Sequence, residues 1–343
     1  MRGLFGRKKP PQHRATLITC QKDEGAFLIE WLAYHKAIGF DRVIVGANDC
    51  SDGSHEMLTR LAELGEVEYI PFKRPATGIG AQFAFAQILH AAKIIPYGAW
   101  VCWLDLDEFL NIHLGSGHLD DLRTAMAGAD GIRMNWRMFG AEADPRWPGR
   151  QLHPDLCRCA PADLILGKNH LDQRTIKSFY RFERFLKVNV HGATHSILND
   201  LTFPVWLNGS GKRIRDRRKL RKIHVWAWAR TPSRVYARPA YDWAQINHYF
   251  IRHPSLVPLR QQRGRGSIYV PPVNRAPGFD DFSERHSASY FARYNRTDAE
   301  DKSILRHIPA TDAEMARLLA DPIVRQWHDH AQQRVADFLA AAI

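Results

Sequence analysis

Apolar and polar positions fall into two alternating rhythms along the first 110 residues. "RATLITC" at 14–20 is a bounded run of β-branched and apolar residues. "EGAFLIEWLAYHKAIGF" then sets Phe27, Leu28, Trp31, Leu32 and Ile38 at helical spacing. A second strand, "DRVIVGAND" at 41–49, precedes "SDGSHEMLTRLAELG", a helix with Ser or Asp at its start and Gly65 at its end. "VEYIPF" reads as a third strand, "GAQFAFAQILHAAKII" as a helix and "AWVCWLDLDEF" as a fourth strand. Strands apolar on both faces, alternating with helices, predict an α/β fold with a mostly parallel sheet flanked by helices. Ligands of such sheets bind beyond the carboxyl ends of the strands.

Past residue 110 the pattern loosens. "GADGIRMNWRMFG" holds another strand, "AEADPRWPGRQLHPDLCRCAP" has the Pro content of a long loop, and "RTIKSFYRFERFLKVNVHG" reads as one or two strands. From Asp312 onward helical spacing is broken at Pro322, which predicts two terminal helices. The organisation expected is a basic tail over 1–13, one domain over 14–260 with a basic insertion at 208–222, and a C-terminal loop and helical extension over 261–343.

The fourth strand drives an apolar run into Asp105, Asp107 and Glu108, where unpaired charge is costly. Residues i and i+2 of a strand share a face, so Asp105 and Asp107 are expected to present their oxygens together while Leu106 turns to the core. Two hard oxygen ligands suit Mg²⁺ or Mn²⁺ shared with a diphosphate. At the end of the second strand Asn48, Asp49, Ser51 and Asp52 place further polar groups at the same edge. A carboxylate there can bind a ribose or base, or else simply cap the next helix.

Taken together, "TLITCQKDEGAFLIEWLAYHKAIGFDRVIVGANDCSDGS", "WLDLDEFL", "NWRMFG", "VHG" and "NHY" resemble the family 2-like glycosyltransferases, in particular the bacterial branch related to family 92. That group reads K-N-E, E-W-L-x-Y-H, D-N-x-S-x-D-G and L-D-x-D-E-F. The likeness spans roughly residues 15–255 and implies a GT-A (Rossmann-like) fold, a nucleotide-sugar donor and Mn²⁺ or Mg²⁺. It makes Glu24 and Asp52 donor contacts, with Lys22, Asn48 and Gln82 counted beside them, and Asp105 and Asp107 the diphosphate and metal acids, Asp107 the direct ligand. Asp23 stands where the group has Asn. "HYFIRHP" replaces H-Y-x-x-K-S, so Arg252 takes the place of a Lys as phosphate contact. Many GT-A enzymes add a histidine ligand from downstream; His248 and His191 are the candidates, His248 preferred. Inversion at the sugar requires a general base, for which Glu142 is the candidate and Asp144 and Asp172 the rivals.

Composition adjusts this picture in three respects. Lys and Arg exceed Asp and Glu to give a net charge of +12, which favours anionic partners. The run "GKRIRDRRKLRK" concentrates that charge, so contact with an anionic membrane surface and a glycan or lipid-linked acceptor of an envelope or exopolysaccharide are expected. Five cysteines without a CxxC pair suggest neither a disulfide framework nor a zinc site. No apolar stretch is long enough for a membrane helix or a signal peptide's central region, so a cytoplasmic location is expected. Two other functions compete. A phosphoryl-transfer enzyme can also end an apolar strand in DxD, but normally at its first strand. A nucleic-acid-binding protein fits the charge, but no binding motif is present.

Overall fold

A computed structural model describes residues 15–74, 79–142, 147–166, 173–184, 186–195, 205–214, 238–257, 259 and 288–341. The tail 1–13, the basic run beyond Ile214, Asp144 and Asp172 lie outside the described residues.

Four strands form the parallel half of the main sheet: β1 (Thr16–Gln21), β2 (Arg42–Asn48), β3 (Glu68–Phe72) and β4 (Trp100–Trp103), in the order β3-β2-β1-β4. Helices α1 (Gly25–Ala37), α2 (Ser54–Glu63) and α3 (Ala81–Ala91) connect them. This is the strand–helix alternation read from the sequence. Gly46 is needed in β2 because any Cβ there would come within 2.7 Å of the Phe85 ring of α3.

The apolar run expected as one strand is two. β4 stops at Trp103, and a turn over Leu104–Asp107 leads into β5 (Glu108–Ile112). After α4 (Leu119–Ala125), the chain adds β6 (Gly131–Met138), β8 (Ile176–Arg181), β11 (Trp206–Asn208) and β12 (Ala244–His248) to the sheet; β7 (Arg158–Cys159) and the hairpin of β9 (Leu186–Asn189) and β10 (Gly192–His195) lie outside it. The order continues β4-β8-β6-β12-β5, with β8 antiparallel to β4 and β6, β12 parallel to β6, and β5 antiparallel to β12. A four-residue turn thus joins the middle of the sheet to its far edge, so the sheet must curl. These directions bring the carboxyl ends of β1, β2, β4, β6 and β12, and the amino ends of β8 and β5, to one edge.

The free backbone edge of β5 is covered by α1. Trp31 Nε1 donates to Glu108 O at 3.0 Å, Tyr34 Oη to Leu110 O at 2.7 Å, and Leu110 N to His35 Nε2 at 3.4 Å. Glu30 accepts from the backbone N–H groups of Gln151 and Leu152 at 2.7 and 2.9 Å. Trp31, Tyr34 and His35 of E-W-L-x-Y-H therefore hold the strand that follows the acidic turn, which blunts an exposed sheet edge.

All eleven residues from Gly25 to His35 are buried, because a second helical layer lies over α1. Beyond α5 (Ala288–Tyr294) and the short β13 (Ala299–Glu300), α6 (Ile308–Leu318) and α7 (Pro322–Ala341) form the two terminal helices, with Pro322 opening the last one. Leu318 and Val324 join the core cluster that contains Leu28 and Leu32, so the C-terminal extension and the sheet share one core. Each fully buried Leu there contributes about 1.5–3 kcal/mol.

Candidate active site

The acidic turn is tied by its own backbone: Glu108 N donates to Asp105 O at 2.9 Å, and Asp105 N donates to the Glu108 carboxylate at 2.8 Å. Asp105 and Asp107 therefore project from a turn, where the alternation argument does not apply. Leu106 points into the core as expected, at 1 % exposure. Asp105 keeps a 28 % exposed side chain, whereas Asp107 is buried.

Lys177, near the amino end of β8, reaches this turn from the interior. Its Nζ lies 2.9 Å from Glu108 Oε2 and 3.2 Å from Asp105 Oδ2, and neither Lys177 nor Glu108 has an exposed side chain. Burial, with the charges of Asp105 and Asp107, pushes the Glu108 carboxyl above its ordinary value, while the ammonium of Lys177 pulls it back down. Burial alone would lower Lys177, but the two carboxylates outweigh it and raise its ammonium above the ordinary value. Gln82 Nε2, from α3, donates to Asp105 Oδ1 at 2.8 Å, so that sequence candidate does meet the acid.

His248 ends β12 beside the turn: its Nε2 is 3.6 Å from Asp107 Oδ1, and the backbone N–H of Tyr249 donates to Asp107 O at 2.8 Å. The Trp136 ring packs near both candidate histidines, with centroids 4.1 Å from His248 and 6.1 Å from His191. His191 Nδ1 is 3.0 Å from the carbonyl of Ile176, so that nitrogen carries the proton. Burial, with Lys177 nearby, lowers His191 to about 3, which leaves Nε2 with an open lone pair. A buried carboxylate beside an imidazole is a pair of donors that suits a divalent ion such as Mn²⁺. Among the described residues, the trio of acid, Cys or His atoms lying within 4.8 Å of one another is elsewhere, at Asp23, Cys50 and Asp52.

That second cluster is occupied by helix capping. Asp52 Oδ2 accepts from Gly25 N at 2.7 Å, and Oδ1 accepts from Ser54 N and Oγ at 3.1 and 2.5 Å. One carboxylate thus caps both α1 and α2, satisfying N–H groups that have no partner within either helix. Asp23 accepts from Ser51 N at 2.6 Å, and Asn48 Nδ2 donates to Asp49 at 3.1 Å. Asp23 and Asp49 both have positive φ, 49° and 50°, as the backbone bends at the two strand ends. Lys22 is half-buried on the same β1–α1 connection.

Arg252 and Glu24, both expected to contact the donor, contact each other. Arg252 Nη2 donates to Glu24 Oε1 at 2.5 Å and Nε to Gln151 Oε1 at 3.1 Å, while its guanidinium lies 3.9 Å above the Phe27 ring. Arg252 is 2 % exposed, with φ +58°, so its cation is committed within the protein. Glu142 follows β6 at the same edge of the sheet. It is exposed, with Arg158 Nε 3.6 Å from its carboxylate.

The structure therefore brings together Gln82, Asp105, Asp107, His191 and His248, and forms a neighbouring set from Glu24, Asp52 and Arg252. Sequence reasoning missed Lys177, Glu108 as its partner, and Trp136. The available signal was a lysine inside the apolar strand "TIKSFYR".

Comparison with known proteins adds to this geometry. Residues 19–253 match the model of glycosyltransferase family 92. A glycosyltransferase family 92 protein of Ricinus communis is 25 % identical over 142 residues, which are 40 % of this chain and 24 % of that protein. The chain thus spans about a quarter of that relative's length. Residues 1–349 of S. aureus TarS in complex with UDP superpose with a TM-score of 0.28 at 14 % identity, over 39 % of this chain and 38 % of that one. Another structure of S. aureus TarS residues 1–349 gives 0.28 at 13 % identity, over 57 % of this chain and 60 % of that one. Likeness at this level carries no weight for the mechanism.

Proposed function

This chain belongs to glycosyltransferase family 92, and from that premise we propose that it transfers a sugar from a nucleotide-sugar donor to a glycan or lipid-linked acceptor with the help of a divalent cation. The observation that carries this reading is the meeting of Asp105, Asp107 and His248 at one sheet edge, on a turn and strands brought together by the curl. Parallel-sheet ligands bind at that edge.

In this reading Asp107 and His248, with His191 in reserve, hold the cation. The chemistry such an ion supplies when bound is neutralisation of charge on the departing diphosphate. Asp105 stays outside the ligand set and faces the donor, since Gln82 and Lys177 already grip its two oxygens. Lys22, Asn48 and the backbone near Asp23 line the nucleotide side. Asp52, Glu24 and Arg252 keep that side rigid by fixing the starts of α1 and α2 to the β12 end. Glu142, exposed on the loop after β6, is the described carboxylate we assign to the acceptor's proton, with inversion at the sugar. The acceptor belongs to envelope or exopolysaccharide synthesis in this reading, which the net charge of +12 supports by favouring anionic surfaces. No described helix is long and apolar enough to cross a membrane.

The test is a nucleotide-sugar panel with Mn²⁺, Mg²⁺ or chelator, reading nucleoside diphosphate release. Donor turnover that stops with chelator supports the reading. Phosphate release without sugar dependence, or salt-sensitive polynucleotide binding, would replace it by one of the other two functions.

A further inference from the structure

The side chain of Lys177 is wholly buried, and its strand neighbours are apolar: its Cα pairs with Met134 of β6, and Phe179 follows on the same face. Enclosing an ammonium costs several kcal/mol, and well-packed apolar residues in place of a buried ion pair are often neutral or stabilising. Fold stability alone therefore gives little reason for a lysine here.

Its contacts supply another reason. The ammonium bridges Glu108 Oε2 at 2.9 Å and Asp105 Oδ2 at 3.2 Å, and the same Glu108 oxygen accepts from the backbone of Asp105 at 2.8 Å. Gln82 holds the opposite oxygen of Asp105 at 2.8 Å. Asp105 is thus gripped by its backbone and by both carboxylate oxygens while its side chain remains 28 % exposed. A carboxylate that is both immobile and reachable is already organised for a ligand, because its rotamer entropy is lost before binding.

We propose that Lys177 is a positioning residue: with Glu108 it locks Asp105 in the orientation that accepts hydrogen bonds from the ribose hydroxyls of the donor's nucleoside diphosphate. The proposal rests on the donor-site reading above. Lys177 touches neither donor nor cation; it acts through Asp105.

The test uses the full chain and uridine or guanosine diphosphate with Mn²⁺ in calorimetry. Lys177→Met combined with Glu108→Gln removes the pair without leaving a lone buried charge, so the double variant is expected to melt near the wild-type temperature. It is expected to bind the nucleotide about tenfold more weakly and to show a raised donor KM with a smaller change in kcat; tenfold corresponds to about 1.4 kcal/mol. Lys177→Arg should restore part of that affinity. Glu108→Gln alone, which keeps the Lys177–Asp105 contact but removes the charge that anchors Lys177, should weaken binding in the same direction and serves even if the double variant does not fold. A folded double variant with wild-type affinity, or Glu108→Gln with none of the expected weakening, overturns the role of Lys177 alone. A wild-type chain that binds neither nucleotide overturns the donor reading itself, and this inference with it.

Discussion

Arg252 places its Nη2 2.5 Å from the Glu24 carboxylate, joining the end of β12 to the start of α1 across 228 residues of sequence. Both side chains are almost fully enclosed, at 1 % and 9 % exposure. Arg252→Met takes the cation away from the buried Glu24 carboxylate, and the expected loss is about 3–5 kcal/mol of stability by urea denaturation. Adding Glu24→Gln should recover much of it, because the buried charge is then removed.

The hydroxyl of Tyr34 donates to Leu110 O at the otherwise open edge of β5. Tyr34→Phe leaves that carbonyl without this donor in a dry site, and a loss of about 1–2 kcal/mol is expected from the same measurement. Donor turnover should fall by less than the fold's stability suggests, since β5 remains held through Trp31 and β12.

Burial lowers His35 to about 3, against an ordinary value of 6.5. Above that ordinary value the ring is neutral in both folded and unfolded chains and has no effect on pH dependence. Between about 6.5 and about 3 the unfolded chain takes up a proton that the native chain refuses, so stability falls as pH falls, by up to about 1.4 kcal/mol per unit. Urea midpoints from pH 7.5 to 4.5 should therefore drop less steeply in a folded His35→Gln variant than in the wild type. Equal slopes would contradict the assignment.

Asp107→Asn keeps the shape of a buried side chain but removes its charge beside His248. Mn²⁺-dependent donor turnover is expected to fall at least about a hundredfold, the scale of losing one electrostatic group at a reacting centre, with unchanged circular dichroism. Retained turnover with Mn²⁺ would move the cation away from this turn.

The strand–helix rhythm through β4, like the terminal helices, was legible because the runs have boundaries: Ser54 opens α2, Gly65 follows it, and Pro322 opens the last helix. The break inside "VCWLDLDEFL" was not. β4 and β5 are almost entirely buried, so both read as apolar, and periodicity cannot divide one long run from two short ones. Motif likeness pointed to the acids, while the partner of Asp105 sits 72 residues downstream on a strand whose lysine looks solvent-facing in one dimension. Asp52 has a structural role that the motif does not announce. A carboxylate at a strand end suggests a ligand, yet its oxygens are taken by the N–H groups of two helices, which the cap reading of the same residue had allowed.

The four-residue link from β4 to β5 has a consequence for how the protein matures. Asp107 meets His248 only after β12, the last strand of the main sheet, has slotted between β6 and β5, so no nascent fragment ending before that strand can display the pair. Competence for chemistry should consequently switch on late and at once, together with closure of the curl, making activity a sensitive reporter of complete folding.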